Sequence, residues 1–472
     1  MKNEGVSLSD WQGQYIAGRE ASPIEGWKHA CFGDISFSFH PDLPYIEVFK
    51  NGSLCGVVLG WLITPSGERI ETVTIAHNED IVNTIFTYGG RWVLVTEEHV
   101  YPDPTASQPI VYSCSSRVFA SSTELIQAPY DDELVDSINV VRGDNWYPFG
   151  LTPKLGVKRL LPNHKLNLSD FSEERTTITN TPENIDDVVS NSISTVQSFA
   201  EFFKEQGLFV GLTAGIDSRV LLAGLRGKLS LNVEFWTAKS VALANIIDIT
   251  TAKALAKRFN LTHKVVFPVH TEQRHIDNWL KRTGYVRAGA KMLNHRMEET
   301  AGGVKPFGHS VIGELARGDY WRKRDDLNTL ITPELIIKRM NLPHSPRLQS
   351  EAQKWLDGLP QLTPFQLLDL LYLEQRIGCW ASPANVASKR PAPTLFLLNR
   401  KDVIDGILGM SVEEKRSSAL HFKIMKRAWP ELMEIPINKP IGHLAYYWKG
   451  LLLFKKIQQK IRRVINNKAA GY

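Results

Sequence analysis

The sequence predicts a chain in two parts, a β-rich N-terminal half followed by an α/β half built on a doubly wound parallel sheet. Three observations carry this. Strand-like and helix-like segments alternate between residues 208 and 269, short apolar runs separated by turn residues fill 35–168, and a Ser-, Thr-, Glu- and Asn-rich stretch at 169–187 reads as the linker. A chain of 472 residues is too long for one hydrophobic core and suits two.

Composition narrows the function class. Apolar content of 43% with 22% charged residues fits a globular chain, and a net charge of only +5 argues against a dedicated nucleic-acid binder while leaving room for a local basic patch. Cys31, Cys55, Cys114 and Cys379 lack the paired spacing of a zinc or redox site, so a reduced, cytoplasmic setting is expected. Residues 1–5 lack the apolar core of a signal peptide, and no stretch approaches the length of a membrane span.

In the N-terminal half, Asn51-Gly52 between the runs 46–49 and 56–63 predicts a hairpin. Asp103 and Pro104 are expected to shape the turn into the next strand, a structural role. Cys31 is read as a small buried hydrophobe, and Lys158 and Arg159 as solvated.

In the second half, the apolar spacing of 188–206 predicts a helix that delivers the chain to a buried strand at 208–210. Gly211 and the small residues after it form a turn, and helical character resumes at Val220. Thr213, Ala214 and Gly215 carry so little side chain that backbone amides and the positive end of the following helix can face an anion. Asp217 beside that cradle favours a cation such as Mg²⁺ between carboxylate and phosphate, so a nucleotide with metal is the expected ligand. The same turn would also serve any strand-to-helix junction of an α/β sheet. A strand at 233–238, a helix at 248–260 and a strand at 264–269 complete a βαβαβ unit whose ligand lies at the carboxyl ends of its strands, with Leu212 and the strand end at Ala238 flanking adenine. His263 is read as a packing residue.

Thr213-Ala214-Gly215-Ile216-Asp217-Ser218 resembles the Ser-Gly-Gly-x-Asp-Ser pyrophosphate loop of the ATP pyrophosphatases, and its surroundings resemble the synthetase domain of the asparagine synthetase family. Thr213 and Ala214 depart from that pattern, Ala214 adding a methyl group. The segment 305–320 is similar to the family's Gly-Glu-Gly-x-Asp-Glu stretch: Gly313 and Glu314 match, while Arg317 stands where a metal-binding Asp is usual. Arg317 could hold pyrophosphate, Asp319 could reach the metal, or the stretch could be a surface turn. Ser388 stands where the family's later run has an acid. Lys439, in the segment 432–440, resembles the late lysine that places positive charge on the leaving pyrophosphate and developing oxyanion; the alternative is an exposed loop lysine. The first half is similar to the family's glutaminase-like sandwich. Its glutamine hydrolysis uses an N-terminal cysteine, and Lys2 follows Met1 here, so glutamine is not expected as the ammonia source. A glutaminase-type domain without its nucleophile also occurs in β-lactam synthetase, carbapenam synthetase and lasso-peptide cyclases.

The resemblance implies an Ntn-hydrolase-like β-sandwich at 1–168, a linker at 169–187, and at 188–443 a doubly wound parallel sheet of the adenine-nucleotide α-hydrolase type with a helical extension. It implies an ATP-dependent, AMP- and pyrophosphate-forming synthetase that adenylates a carboxylate and transfers it to an amine, in natural-product or surface-polysaccharide biosynthesis. The alternative is a catalytically inactive nucleotide-binding scaffold. The implied cofactors are ATP and Mg²⁺. Leu212, Thr213, Ala214, Gly215, Asp217, Ser218, Ala238 and Gly313 would hold the nucleotide and Asp217 the metal, with Lys439, Glu314 and Arg317 catalytic. The expected partners are a small-molecule or peptide carboxylate and an amine, and no nucleic acid. The tail at 444–472, aromatic then basic, would lie on an anionic membrane face or pack on the synthetase part. Homodimer formation stays open.

Overall fold

The computed structural model describes residues 11–140, 145–178, 184–240, 242–267, 270–287, 303–387, 392–448 and 450. Ser388 and nearly all of the basic tail lie outside the described residues.

Among the described residues thirteen strands precede the parallel sheet: β1 (Tyr15–Gly18), β2 (Lys28–Phe32), β3 (Ile35–Phe39), β4 (Tyr45–Lys50), β5 (Ser53–Ile63), β6 (Thr72–Ile75), β7 (Gly89–Thr96), β8 (His99–Pro102), β9 (Val111–Ser113), β10 (Val118–Ala120), β11 (Val157–Arg159), β12 (His164–Asn167) and β13 (Glu173–Arg175). They form a six-stranded sheet, β11-β9-β10-β1-β3-β2, and a seven-stranded sheet, β13-β12-β8-β7-β5-β4-β6. Alternate residues of both turn inward: Tyr15, Phe37, Phe39 and Phe119 of the first meet Val57, Leu59, Val93 and Val95 of the second in one buried cluster. Asn51 and Gly52 close the β4–β5 hairpin with positive φ at both positions, as the sequence predicts. Two expectations need correcting. Cys31 is exposed because β2 is an edge strand, and Arg159 is buried with burial pushing its guanidinium down to about 10.

The helix Ile185–Phe202 leads from the sandwich to the parallel sheet: β14 (Leu208–Gly211), β15 (Val233–Ala238), β16 (His263–Val266), β17 (Phe307–His309) and β18 (Thr394–Phe396). Its order is β16-β15-β14-β17-β18, every pair parallel. Leu208 and Val210 face the main core while Phe209 faces a second cluster with Trp236 and Phe307, so the sheet is buried on both sides. Numbered within the sheet the order is 3-2-1-4-5, and the chain reverses direction of build between β14 and β17. In sheets of this order the loops leaving those two strands part at that point and frame the ligand crevice.

Asp103 ties the sandwich to the second half. Its carboxylate is fully buried and accepts from the amides of Trp92, Thr105, Ser107 and Gln108, the hydroxyls of Thr105 and Ser107, and Asn399 Nδ2 at 2.6 Å. Among the described residues no helix is long and apolar enough to cross a membrane.

Candidate functional site

The crevice is built from four stretches. Residues 212–215 connect β14 to the helix Ile216–Gly224, with Gly215 as its N-cap and no side chain capping it. Asp217 and Ser218 lie in that helix's first turn. The short helix Ile312–Leu315 after β17 brings Gly313 and Glu314, with Arg317 just beyond. Residues 436–440 close over the loop: Asn438 N donates to Ala214 O at 2.9 Å.

Glycine is required at 313, where a Cβ would lie 2.8 Å from Asp217 Oδ1. Asp217 itself is clamped. His421 Nε2 donates to Oδ1 at 3.0 Å, Arg317 Nε lies 3.3 Å from Oδ1, and Arg317 Nη2 lies 3.3 Å from Oδ2. Burial pushes this carboxyl up, but His421 and then Arg317 outweigh burial and hold it below the usual carboxylate range. Arg317 also approaches Glu314 Oε1 at 3.7 Å and Asp319 Oδ1 at 3.6 Å. Glu314 is the opposite case: burial pushes its carboxyl up, and Tyr372 donates its hydroxyl to Oε2.

Three loop amides expected to face an anion carry internal partners. Thr213 N donates to Ser218 Oγ at 3.1 Å, Gly215 N to Thr213 Oγ1 at 3.0 Å, and Ala214 N to Asp248 Oδ1 at 3.0 Å. A carboxylate thus sits where a phosphate oxygen was expected, its pKa raised by burial against the Ala214 amide's opposing pull. Leu212 is fixed to the neighbouring strand: its amide donates to Trp236 O at 2.7 Å and its carbonyl accepts from Thr237 Oγ1 at 2.6 Å. Ala238 O accepts from Asn245 Nδ2 at 2.6 Å. His263 Nε2 is hydrogen-bonded to Thr237 Oγ1 at 2.9 Å, a structural role in the sheet.

The structure therefore brings Leu212, Thr213, Ala214, Gly215, Asp217, Ser218, Gly313, Glu314 and Arg317 to one crevice. Lys439 follows Asn438 at its rim, exposed and without an ion pair among the described residues. A magnesium ion does not fit on Asp217 as these side chains lie, because both carboxylate oxygens already face cationic or N–H donors and Gly313 packs against the carboxylate. No three His, Cys, Asp or Glu side chains gather as a metal site among the described residues.

Sequence reasoning missed four contributors: His421, Asp248, Asn438 and Arg219. Arg219 had a legible signal, a charge in the otherwise apolar run 219–223. It is fully buried and donates to the carbonyls of Leu432, Ile435 and Pro436, which anchors the segment that carries Lys439. Arg219→Met is expected to lower stability by about 3 kcal/mol, since three buried carbonyls lose their donor; urea unfolding checks this.

Beside the crevice a cavity of about 390 Å³ opens at the carboxyl ends of β17 and β18, lined by Trp279, His309, Glu314, Arg376 and Trp380. Arg376 stacks on the Trp380 ring at 3.4 Å and has no ion pair among the described residues. Burial, and then Arg287, push the His309 imidazole down to about 4, so it is neutral at pH 7.

No family model matches the chain, and no curated protein matches it. Solved structures that it resembles include the NH3-dependent NAD synthetase from Campylobacter jejuni subsp. jejuni NCTC 11168, at 19% identity over 41% of this chain and 93% of that one, TM-score 0.20. Another is the NMN synthetase from Francisella tularensis, at 12% identity over 41% and 93%, TM-score 0.20. A third is the glutamine-dependent NAD+ synthetase from Acinetobacter baumannii in complex with adenosine diphosphate, at 14% identity over 60% and 47%, TM-score 0.19. At TM-scores this low the likeness carries no argument about activity, which has to come from the site.

Proposed function

We propose that the chain is an ATP-dependent ligase that activates a carboxylate in the crevice between β14 and β17 and passes it to an amine. The observation that carries this is the strand order 3-2-1-4-5. In such a sheet mononucleotides bind where the order reverses, and here that point holds a helix start with no side-chain cap, a cation and a glycine at close approach.

In this reading the adenine lies between Leu212 and the β15 end at Ala238, and the triphosphate meets the first turn of the helix Ile216–Gly224 and Arg317. Lys439 lies over the bond between α- and β-phosphates, supplying charge to the leaving pyrophosphate and to the acyl oxygen. The adjoining cavity takes the carboxylic acid, its anionic group meeting Arg376 and its body meeting Trp279 and Trp380. AMP formation through an acyl adenylate is the finer step proposed. The N-terminal sandwich, read as Ntn-hydrolase-like, supports the second half through Asp103 rather than doing chemistry, so the amine is free ammonia or an amine on a second molecule or on the acid itself.

The test is ATP–pyrophosphate exchange across a panel of carboxylic acids. Exchange with at least one acid is expected, and Lys439→Ala is expected to reduce it by about 10² to 10³ while leaving the melting temperature unchanged, because the side chain is exposed. The internal bonds of the 213–215 amides favour a second reading, a nucleotide-binding scaffold without catalysis; ATP binding with no exchange for any acid supports it. Asp248→Asn is expected to tighten ATP binding by about threefold to tenfold in either reading, since it removes a like charge from the phosphate path. Calorimetric titration measures it.

A further inference from the structure

We propose that Arg317, anchored by Asp217, takes the place of a divalent cation in this crevice, so that a nucleoside triphosphate binds through the guanidinium without magnesium. This rests on the reading of the crevice as a nucleotide site and extends it to the charge that neutralises the phosphates.

The geometry of Asp217 is the starting point. Magnesium takes oxygen ligands in a tight octahedron and usually keeps several waters, so a carboxylate that binds it must turn an open lone pair into a hydrated space. Both oxygens of Asp217 instead meet N–H donors: Oδ1 meets His421 Nε2 at 3.0 Å and Arg317 Nε at 3.3 Å, and Oδ2 meets Arg317 Nη2 at 3.3 Å. Gly313 shuts the remaining side, at a separation where even a methyl group would lie 2.8 Å from Oδ1. A dication entering here would have to displace a guanidinium and then stand beside it.

The second part is what Arg317 has left to offer. A guanidinium carries five N–H donors in a fixed fork, and the side of Arg317 turned to Asp217 uses two of them. Its other approaches, to Glu314 Oε1 at 3.7 Å and Asp319 Oδ1 at 3.6 Å, exceed hydrogen-bond length. Three N–H groups therefore make no hydrogen bond, and a phosphate that outcompetes the Glu314 and Asp319 carboxylates at Nη2 and Nη1 can take the fork in the planar arrangement that pairs with two oxygens at once. Asp217 holds the fork in place as a metal-binding carboxylate would hold its ion, and the donor is covalently tethered, so no ion has to be captured from solution. The short helix Ile312–Leu315 sets this cation after β17, facing the helix start after β14 across the crevice.

The experiment is ATP titration of the full chain, followed by calorimetry and by melting temperature, once with excess magnesium and once with EDTA. Equal affinity within about twofold in the two conditions is the expected result. A loss of tenfold or more in EDTA overturns the inference and leaves the nucleotide reading standing, whereas no binding in either condition overturns both. Arg317→Gln, checked for folding by its ligand-free melt, is expected to weaken ATP binding in EDTA at least tenfold, and Arg317→Lys to restore part of it. A glutamine variant that binds ATP in EDTA as tightly as the wild type overturns the role of the guanidinium. The wild-type comparison stands alone should the glutamine variant fail to fold.

Discussion

Asp103→Ala is expected to lower the stability of the chain by about 4 to 6 kcal/mol, a large share of what a domain has to lose, because buried donors without acceptors each cost about 1 to 3 kcal/mol. The carboxylate accepts seven hydrogen bonds, four from backbone amides, two from hydroxyls and one from Asn399. Water entering the space left by the side chain offsets part of the loss and keeps the total below the sum. A charge also goes missing. Arg91 lies fully buried nearby, where burial pushes its guanidinium down to about 9 and Asp103 is the group that pulls it back up. Asp103→Asn retains an acceptor oxygen and is expected to lose about half as much. Because Asn399 also donates to Gly90 O at 2.7 Å, both variants are expected to loosen the seam between the sandwich and the parallel sheet. Urea unfolding followed by circular dichroism measures the first effect, and limited proteolysis near residue 399 the second.

Glu374→Ala is expected to cost about 3 to 5 kcal/mol, the range for breaking one side of a buried ion pair. Glu374 is fully buried and takes both nitrogens of Arg175, at 2.5 and 3.0 Å, with Trp355 Nε1 at 2.7 Å and Asn163 Nδ2 at 3.2 Å. Its removal strands the guanidinium. Burial pushes the Glu374 carboxyl up, yet Arg175 foremost among its neighbours outweighs burial and holds it below the usual glutamate range. With the folded value below the unfolded one, the stabilisation is full above the usual glutamate range and is lost as pH falls through the lowered value. The stability gap between wild type and Glu374→Gln should thus be largest at neutral pH and shrink in acid. Urea midpoints across that range check the sign.

Much of the parallel sheet was legible because its signals are local. The strand at 233–238 has the predicted bounds, and the positive φ at Asn51 and Gly52 follows from residue type. Of the strand predicted at 264–269, the structure shows His263–Val266, and residues 268 and 269 lie outside the described residues. What the sequence hides is the partner across space. His421 reaches Asp217 over 204 residues and Asp248 reaches Ala214 over 34, and neither residue announces its target. Exposure failed for a related reason at Cys31, since an apolar neighbourhood looks alike in a central strand and in an edge strand such as β2. Arg159 shows the reverse, a basic residue at the end of β11 whose inward-facing position the fold closes over.

The most direct test of the nucleotide crevice is a crystal structure of the full chain with a non-hydrolysable ATP analogue. The triphosphate is expected at the first turn of the helix Ile216–Gly224, within hydrogen-bond reach of Arg317, with the base beside Leu212. An analogue seated elsewhere on the chain, or no analogue in the crevice at saturating concentration, would contradict it.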